Sequence, residues 1–274
     1  MSEEKQLDMH PPAPPGDMHK LIGITLVNWY LFSAETIPLE GDSLLIRGAN
    51  GVGKSSVLDA IQTVFAGADE NQLAMNAASS DGKKSGRTIR SYVLGEVAES
   101  PGLKACEPRE VSNCYICLSF KSRSGKLFTI GVGLYARAKD SKSLQKYPFI
   151  IDGCALTAQD FMKDERTILT WSGFEQKALA MSGELILPQT AREYRQQYCE
   201  FLSAPGASNF IAPEMMFRAL KNGLTFKEQK DISEFTRQYI LPENNIDVLR
   251  IENDYKEYRV SRIPLKMPAN VWSH

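Results

Sequence analysis

The chain has 274 residues, 43% of them hydrophobic and 24% charged, a globular composition with room for one large domain or two small ones. Its 32 basic and 33 acidic side chains leave a formal net charge of -1, so no whole-molecule positive field draws in nucleic acid and any such contact must be a local patch. No apolar run approaches the ~20 residues of a membrane span. The three histidines, His10, His19 and His274, lie near the termini, which weighs against a histidine-based nucleophile or zinc site in the folded body.

Residues 1–19 are polar and Pro-rich and read as a disordered tail. They lack the apolar core of a signal peptide, so the expectation is a soluble, cytoplasmic protein. LIGITLVNWYLF at 21–32 is rich in strand formers. Thr36–Glu40 reads as a second short strand, which Pro38 places on a sheet edge. SLLIRG at 43–48 is a short apolar run closed by glycine, the pattern of a buried strand with a turn after it.

KSSVLDAIQTVFAG follows. Val57, Leu58, Ile61, Val64 and Phe65 fall at helical spacing, with Gly67 as the C-cap. Residues 68–86 read as a surface loop, RTIRSYVLGEV at 87–97 resumes order, and 97–111 is a second loop. NCYICLSF and LFTIGVGLYARA, joined by KSRSGK, predict a β-hairpin, and PFIID adds a strand. From about residue 155 the pattern is helical. AREYRQQYCEFL is amphipathic, and DISEFTRQYIL carries Asp231 as N-cap, Glu234 of a capping box and Pro242 as stop. Val248, Ile251, Tyr255 and Tyr258 are spaced 3, 4, 3, which begins a coiled coil or a short core helix. SRIPLKMPANVWSH then breaks the pattern.

Five scattered cysteines without a secretory signal argue for free thiols. Cys114 and Cys117 form a CxxC on a strand. Residues three apart there point to opposite faces, so the pair reads as one core and one surface thiol rather than a metal or redox site.

GANGVGKSS at 48–56 fits G-x-x-x-x-G-K-[ST], the Walker A phosphate loop. Gly48, Gly51 and Gly53 let the backbone fold tightly enough to aim N–H groups at phosphate oxygens, and the helix beginning near Lys54 adds its positive end. Lys54 reaches the β- and γ-phosphates, and the Ser55 hydroxyl ligates Mg2+. Asn50 and Ser56 complete the candidate set. Phosphate chemistry of this kind needs no histidine.

LVNWYLF, a second strand and LLIRGANGVGKSSVLDAIQ together resemble the head of SMC-type ATPases, relatives of the ABC class. Asn28-Trp29, RTIRSYVLGEV, SNCYICLSF and FKEQKDISEFTRQYILPENNIDV are most similar to the ATPase subunit of Wadjet plasmid-defence systems, relatives of the Muk and Mks condensins. The resemblance runs from about residue 20 to 260. It implies an α/β fold: a P-loop NTPase half-head, with a mixed β-sheet around the Walker A helix and a helical C-terminal part starting a coiled coil. The implied layout is 20–245 as the N-terminal half-head, 246–260 as the coil start and 261–274 as an atypical tail, for which a frameshift, an interrupted gene and an artificially chosen boundary all fit. Implied cofactors are ATP and Mg2+. Implied partners are a C-terminal half-head, a second head, kleisin-like and nuclease subunits, and DNA in the nucleoid. Neither an LSGGQ-like signature nor a Walker B run is in the sequence, so the expectation is ATP binding without turnover by the chain alone.

The family places an arginine near the phosphates, and Arg87 and Arg90 both match, with a solvated or salt-bridged arginine as the alternative for each. Lys121, Arg123, Lys126, Arg137, Lys139, Lys142 and Lys146, with Asp140 as the one acid among them, form a basic stretch. It is either a DNA-backbone contact or a lysine-guarded hairpin edge. Gln62 and Gln72 are not assigned as the family's Q-loop glutamine. Trp29 reads as a core aromatic before an adenine platform. Two other readings stand beside the first: a Rad- or Sbc-type repair ATPase, and a non-catalytic nucleotide-binding interaction module.

Overall fold

In a computed structural model, residues 19–40, 44–49, 51–73, 87–96, 108–140, 143–181, 183–203 and 212–224 are described. All of them lie in a first compact unit, 1–228; the second, 229–274, falls outside them. The capped helix at 231 and the coiled-coil spacing therefore lie outside the described residues, as do most of the N-terminal tail and the loops at 74–86 and 97–107. Among the described residues no helix is long and apolar enough to cross a membrane.

Six strands make one sheet: β1 (His19–Trp29), β2 (Phe32–Pro38), β3 (Val111–Ser122), β4 (Leu127–Arg137), β5 (Leu144–Asp152) and β6 (Glu184–Ile186). Their spatial order is β2-β1-β3-β4-β5-β6. Among the described residues every pairing is antiparallel. The expected mixed sheet is thus corrected. The physical reason lies in SLLIRG: residues 44–48 are outside the sheet, and Leu44 and Leu45 are 45% and 71% exposed. β2 is the edge strand that Pro38 foretells, and it is longer than its sequence signal.

The β3–β4 hairpin has regular register from Val111 opposite Arg137 to Lys121 opposite Leu127. Both faces of it are covered, which is why β3 is buried at nearly every position rather than at alternate ones. On one face lie α1 (Lys54–Ala66), α2 (Ile89–Leu94) and α4 (Ala191–Leu202), packed through Val57, Val64, Tyr92 and Tyr198 against Ile24, Leu26, Ile116 and Leu118. On the other, α3 (Trp171–Leu179) and a short helical turn at Ala158–Phe161 bring Phe161 and Phe174 onto Tyr115, Cys117 and Phe149. The 154–158 segment is held down by hydroxyls: the Leu156 amide donates to Ser119 Oγ at 3.2 Å, and Thr25 Oγ1 donates to the Leu156 carbonyl at 3.1 Å.

This second layer corrects the reading of the CxxC. Cys114 and Cys117 do point to opposite faces, but both are fully buried, one in each core.

α1 is also rotated from its sequence expectation. It buries Ser56, Val57, Asp59, Ala60, Thr63 and Val64, while Leu58 is 39% exposed and Ile61 and Phe65 sit on the flank. Gly67 closes it as expected, with a left-handed turn. α2 is capped by a box between Thr88 and Ser91, and α4 spans the amphipathic stretch as read. α5 (Pro213–Leu224) is the last described element.

Candidate functional site

The phosphate-loop residues lead directly into α1. Gly53 precedes the helix at φ 96°, a left-handed backbone that disfavours any side chain, and a Cβ there would lie 3.1 Å from the Phe32 ring. At Gly48 a Cβ would lie 2.7 Å from Val52 Cγ2, so the loop closes only around hydrogen. No side chain caps the helix at Gly53. The first bond of the helical ladder runs from the Val57 amide to the Gly53 carbonyl, so the amides of Lys54, Ser55 and Ser56 have no intrahelical acceptor. These donors, which no helical carbonyl takes up, lie at the positive end of a 13-residue helix and form an anion-binding geometry.

Lys54 Nζ donates to the carbonyls of Gly48 and Ala49, both at 2.6 Å, which places its charge over the loop. Ser55 is exposed in the first turn, where its hydroxyl is free to meet a cation. Ser56 is 4% exposed and turned inward. Asn50 lies outside the described residues. Among the described residues no group of three His, Cys, Asp or Glu side chains gathers to hold a metal. A phosphate-loop Mg2+ does not require one, because it takes a single hydroxyl together with phosphate oxygens. The first-turn amides, the lysine and the exposed Ser55 hydroxyl fit a nucleotide phosphate with its Mg2+.

Behind the loop lies a buried polar network that the sequence reading missed. Trp29 is fully buried and donates from Nε1 to the Ser56 carbonyl at 2.7 Å. Its ring stacks on Tyr92 at 4.5 Å. The Tyr92 hydroxyl donates to Asp59 Oδ2, and Gln62 donates to Asp59 Oδ1 at 3.3 Å. Burial raises the Asp59 carboxyl above its ordinary value, and the Tyr92 hydrogen bond and the Arg87 charge partly oppose this. Burial also raises the Tyr92 hydroxyl, with Asp59 adding to it. Trp29 is thus the core aromatic expected, and it cannot serve as an adenine platform. The missed signal was Asp59, an acid on the same helical stripe as Ser56, Ala60 and Thr63.

Arg87 sits against the Tyr92 hydroxyl, with its charge reaching Asp59 on the phosphate-loop helix. Arg90 goes elsewhere. Its guanidinium donates to the Arg137 and Ala138 carbonyls at 2.9 and 3.1 Å and pairs with Glu96 at 3.2 Å. Those contacts tie α2 to the end of β4. Arg109, not singled out in the sequence, donates to the Tyr30 carbonyl at 2.9 Å and the Val93 carbonyl at 3.3 Å. It braces the tight β1–β2 turn, where Asn28 and Tyr30 have φ of 52° and 48°.

The basic stretch does not form one patch. Lys121, Arg123 and Lys126 gather at the β3–β4 turn, while Arg137 and Lys139 lie at the far end of the 11-residue β4. The strand separates the two groups by roughly 30 Å. Lys146, on β5, pairs with Glu70 at 3.1 Å, and Lys142 lies outside the described residues.

No curated protein matches the chain. Residues 21–82 match the family model of the P-loop containing region of AAA domains. That span is less than a quarter of the chain and carries β1, β2, the phosphate loop and α1. Residues 21–82 are therefore a P-loop NTPase region, a kind that ordinarily takes a nucleotide with Mg2+.

Proposed function

We propose that the chain is the ATP-binding N-terminal half of an SMC-like ATPase head that handles DNA in anti-plasmid defence. The observation that carries the nucleotide part is the first turn of α1, uncapped by any side chain, with Lys54 folded onto the Gly48 and Ala49 carbonyls of the loop. Phosphate binding replaces the hydration of the anion with the amides of this turn. Lys54 turns from the Gly48 and Ala49 carbonyls toward the phosphates, and Ser55 meets the cation. The bound Mg2+ neutralises charge on the phosphate oxygens.

The half-head part is supported by the segment before the loop. Leu44 and Leu45 are exposed on an apolar run that strand preference would pair, and that run leads straight into Gly48. A C-terminal half-head supplies strands beside Leu44–Ile46, and with them the signature motif, the Walker B acid and the catalytic base. A second head then closes the nucleotide sandwich, and kleisin-like and nuclease subunits complete the assembly. DNA meets the turn carrying Lys121, Arg123 and Lys126.

The test is calorimetric binding of Mg-ATP to the full chain. Saturable binding by wild type, lost in Lys54→Met, supports the reading. Steady-state hydrolysis by the chain alone that vanishes in Lys54→Met overturns the half-head. Hydrolysis that appears only on adding a C-terminal half supports it.

A further inference from the structure

The amides that make the phosphate site belong to the first turn of α1, and that turn has no side-chain cap of its own. Two buried polar ties hold its N-terminal half instead, three residues apart on one face. The Trp29 indole N–H reaches the Ser56 carbonyl, and the Tyr92 hydroxyl reaches Asp59. The ties are one unit, because the Trp29 and Tyr92 rings are stacked nearly parallel, 14° apart. The Tyr30 amide also donates to the Tyr92 carbonyl at 3.0 Å, which joins the end of β1 to α2. Apolar packing through Val57 and Val64 would hold α1 on the sheet, and Arg195 and Tyr198 tie its far end at Ala66 and Phe65, but neither fixes the direction of its first turn. Hydrogen bonds are directional, and buried ones are expensive to break. We infer that Trp29 and Asp59, bridged by Tyr92, are positioning residues for the phosphate site and set the direction in which the first-turn amides of α1 point. This rests on the reading of the loop as a nucleotide site.

Trp29 is one of three tryptophans, and Trp171 stacks on Tyr147 on the other side of the sheet. A full chain carrying Trp171→Phe and Trp272→Phe keeps Trp29 as its one indole. Its emission is expected to change saturably on titration with Mg-pyrophosphate and with Mg-ATP, because the ring is bonded to the turn that receives the phosphate. In the otherwise unaltered chain, Trp29→Phe keeps a six-membered ring for the stack and removes the indole N–H together with the five-membered ring that carries it. The substitution lowers the melting temperature, so binding is read well below it, where the chain is fully folded; there the calorimetric Kd for Mg-ATP is expected to rise by roughly three- to tenfold. Asp59→Ala is expected to weaken binding similarly, and Asp59→Asn, which keeps an acceptor for Tyr92, to recover most of the loss. Wild-type affinity in both Trp29→Phe and Asp59→Ala overturns the inference and leaves the nucleotide reading standing. So does an emission that stays silent while calorimetry registers binding. Absence of calorimetric binding by the wild-type chain overturns the nucleotide reading, and the inference with it.

Discussion

The Arg195 guanidinium donates to the carbonyl oxygen of Ala66, the last residue of α1, at 3.0 Å, and to Asp69 at 3.3 Å. Tyr198 donates to the Phe65 carbonyl at 2.8 Å. α4 thus terminates the phosphate-loop helix, placing a cation where the helix dipole is negative. Arg195→Ala is expected to cost about 1–2 kcal/mol of folding stability in denaturant titration. Asp69→Asn is expected to cost less, since the carbonyl contact survives.

Gly53 tolerates a side chain poorly, because its φ of 96° coincides with the Phe32 ring overhead. Gly53→Ala should leave the circular dichroism spectrum intact and cost about 1–3 kcal/mol of stability. Mg-ATP affinity should fall roughly tenfold or more, since about 1.4 kcal/mol of displaced loop geometry is already that factor.

The separation of the basic residues into two groups makes the DNA proposal directional. Charge reversal at Lys121, Arg123 and Lys126 should weaken duplex binding. The log–log salt slope should flatten by up to about 3, near one unit per lost phosphate contact. Reversal at Arg137 and Lys139 should leave the slope nearly unchanged. Filter binding across a salt series reads both, and a larger effect at the second pair would move the contact to the other end of β4.

Asp59 carries a pH signature. Its folded-state pKa is raised, chiefly by burial, above the ordinary 3.8. Below 3.8 the acid is protonated in folded and unfolded chains alike, so ionisation contributes nothing. As the pH rises, the unfolded chain ionises first, and the folded chain loses stability until its own carboxylate forms. The Asp59→Asn variant has no such step, since an amide does not ionise. Wild-type stability relative to Asp59→Asn is therefore expected to fall as the pH rises from 3.8 and to level off above the folded pKa. Urea titrations of both proteins at matched pH values would measure it; a flat difference would mean that the carboxylate is well solvated.

The two thiols of the CxxC should behave as core side chains. Burial raises both, Cys117 to about 12 and Cys114 further. Neither is expected to alkylate at pH 8 in the native chain, while the half-buried Cys154 should react slowly. Mass spectrometry of iodoacetamide-treated protein, before and after denaturation, distinguishes the sites.

Elements whose cause is local were legible in the sequence. The β3–β4 hairpin, the α4 span, the Gly67 stop and the edge position of Pro38 each follow from alternation, periodicity or backbone geometry within a short window. What required the rest of the chain was missed. Leu58 follows the helical period, but α1 meets the sheet through the stripe containing Asp59 and Ala60, so Leu58 stays outside. One thiol of the CxxC was read as a surface thiol because nothing near Cys117 announces that Phe161 and Phe174 cover its face. SLLIRG has strand composition, yet residues 44–48 have no neighbour to pair with among the described strands. In the site, the loop glycines, Lys54 and Ser55 were readable because their chemistry is sequential. The links from Trp29 to Ser56 and from Tyr92 to Asp59 join positions 27 and 33 residues apart, and no spacing rule reaches them.

β1 does not find its inner neighbour until β3, so Leu26 pairs with Ile116 across the whole phosphate loop, α1 and α2. A nascent chain that has emerged only to residue 82 therefore displays the full Walker motif before β3 (111–122) exists to anchor β1 or Tyr92 exists to stack on Trp29. On the ribosome the motif precedes the binding site, which closes only after the hairpin has been made. A gene fragment cut at the boundary of the recognisable segment would encode the loop glycines, Lys54 and Ser55 without the strand and the Tyr92 ring on which their helix is seated.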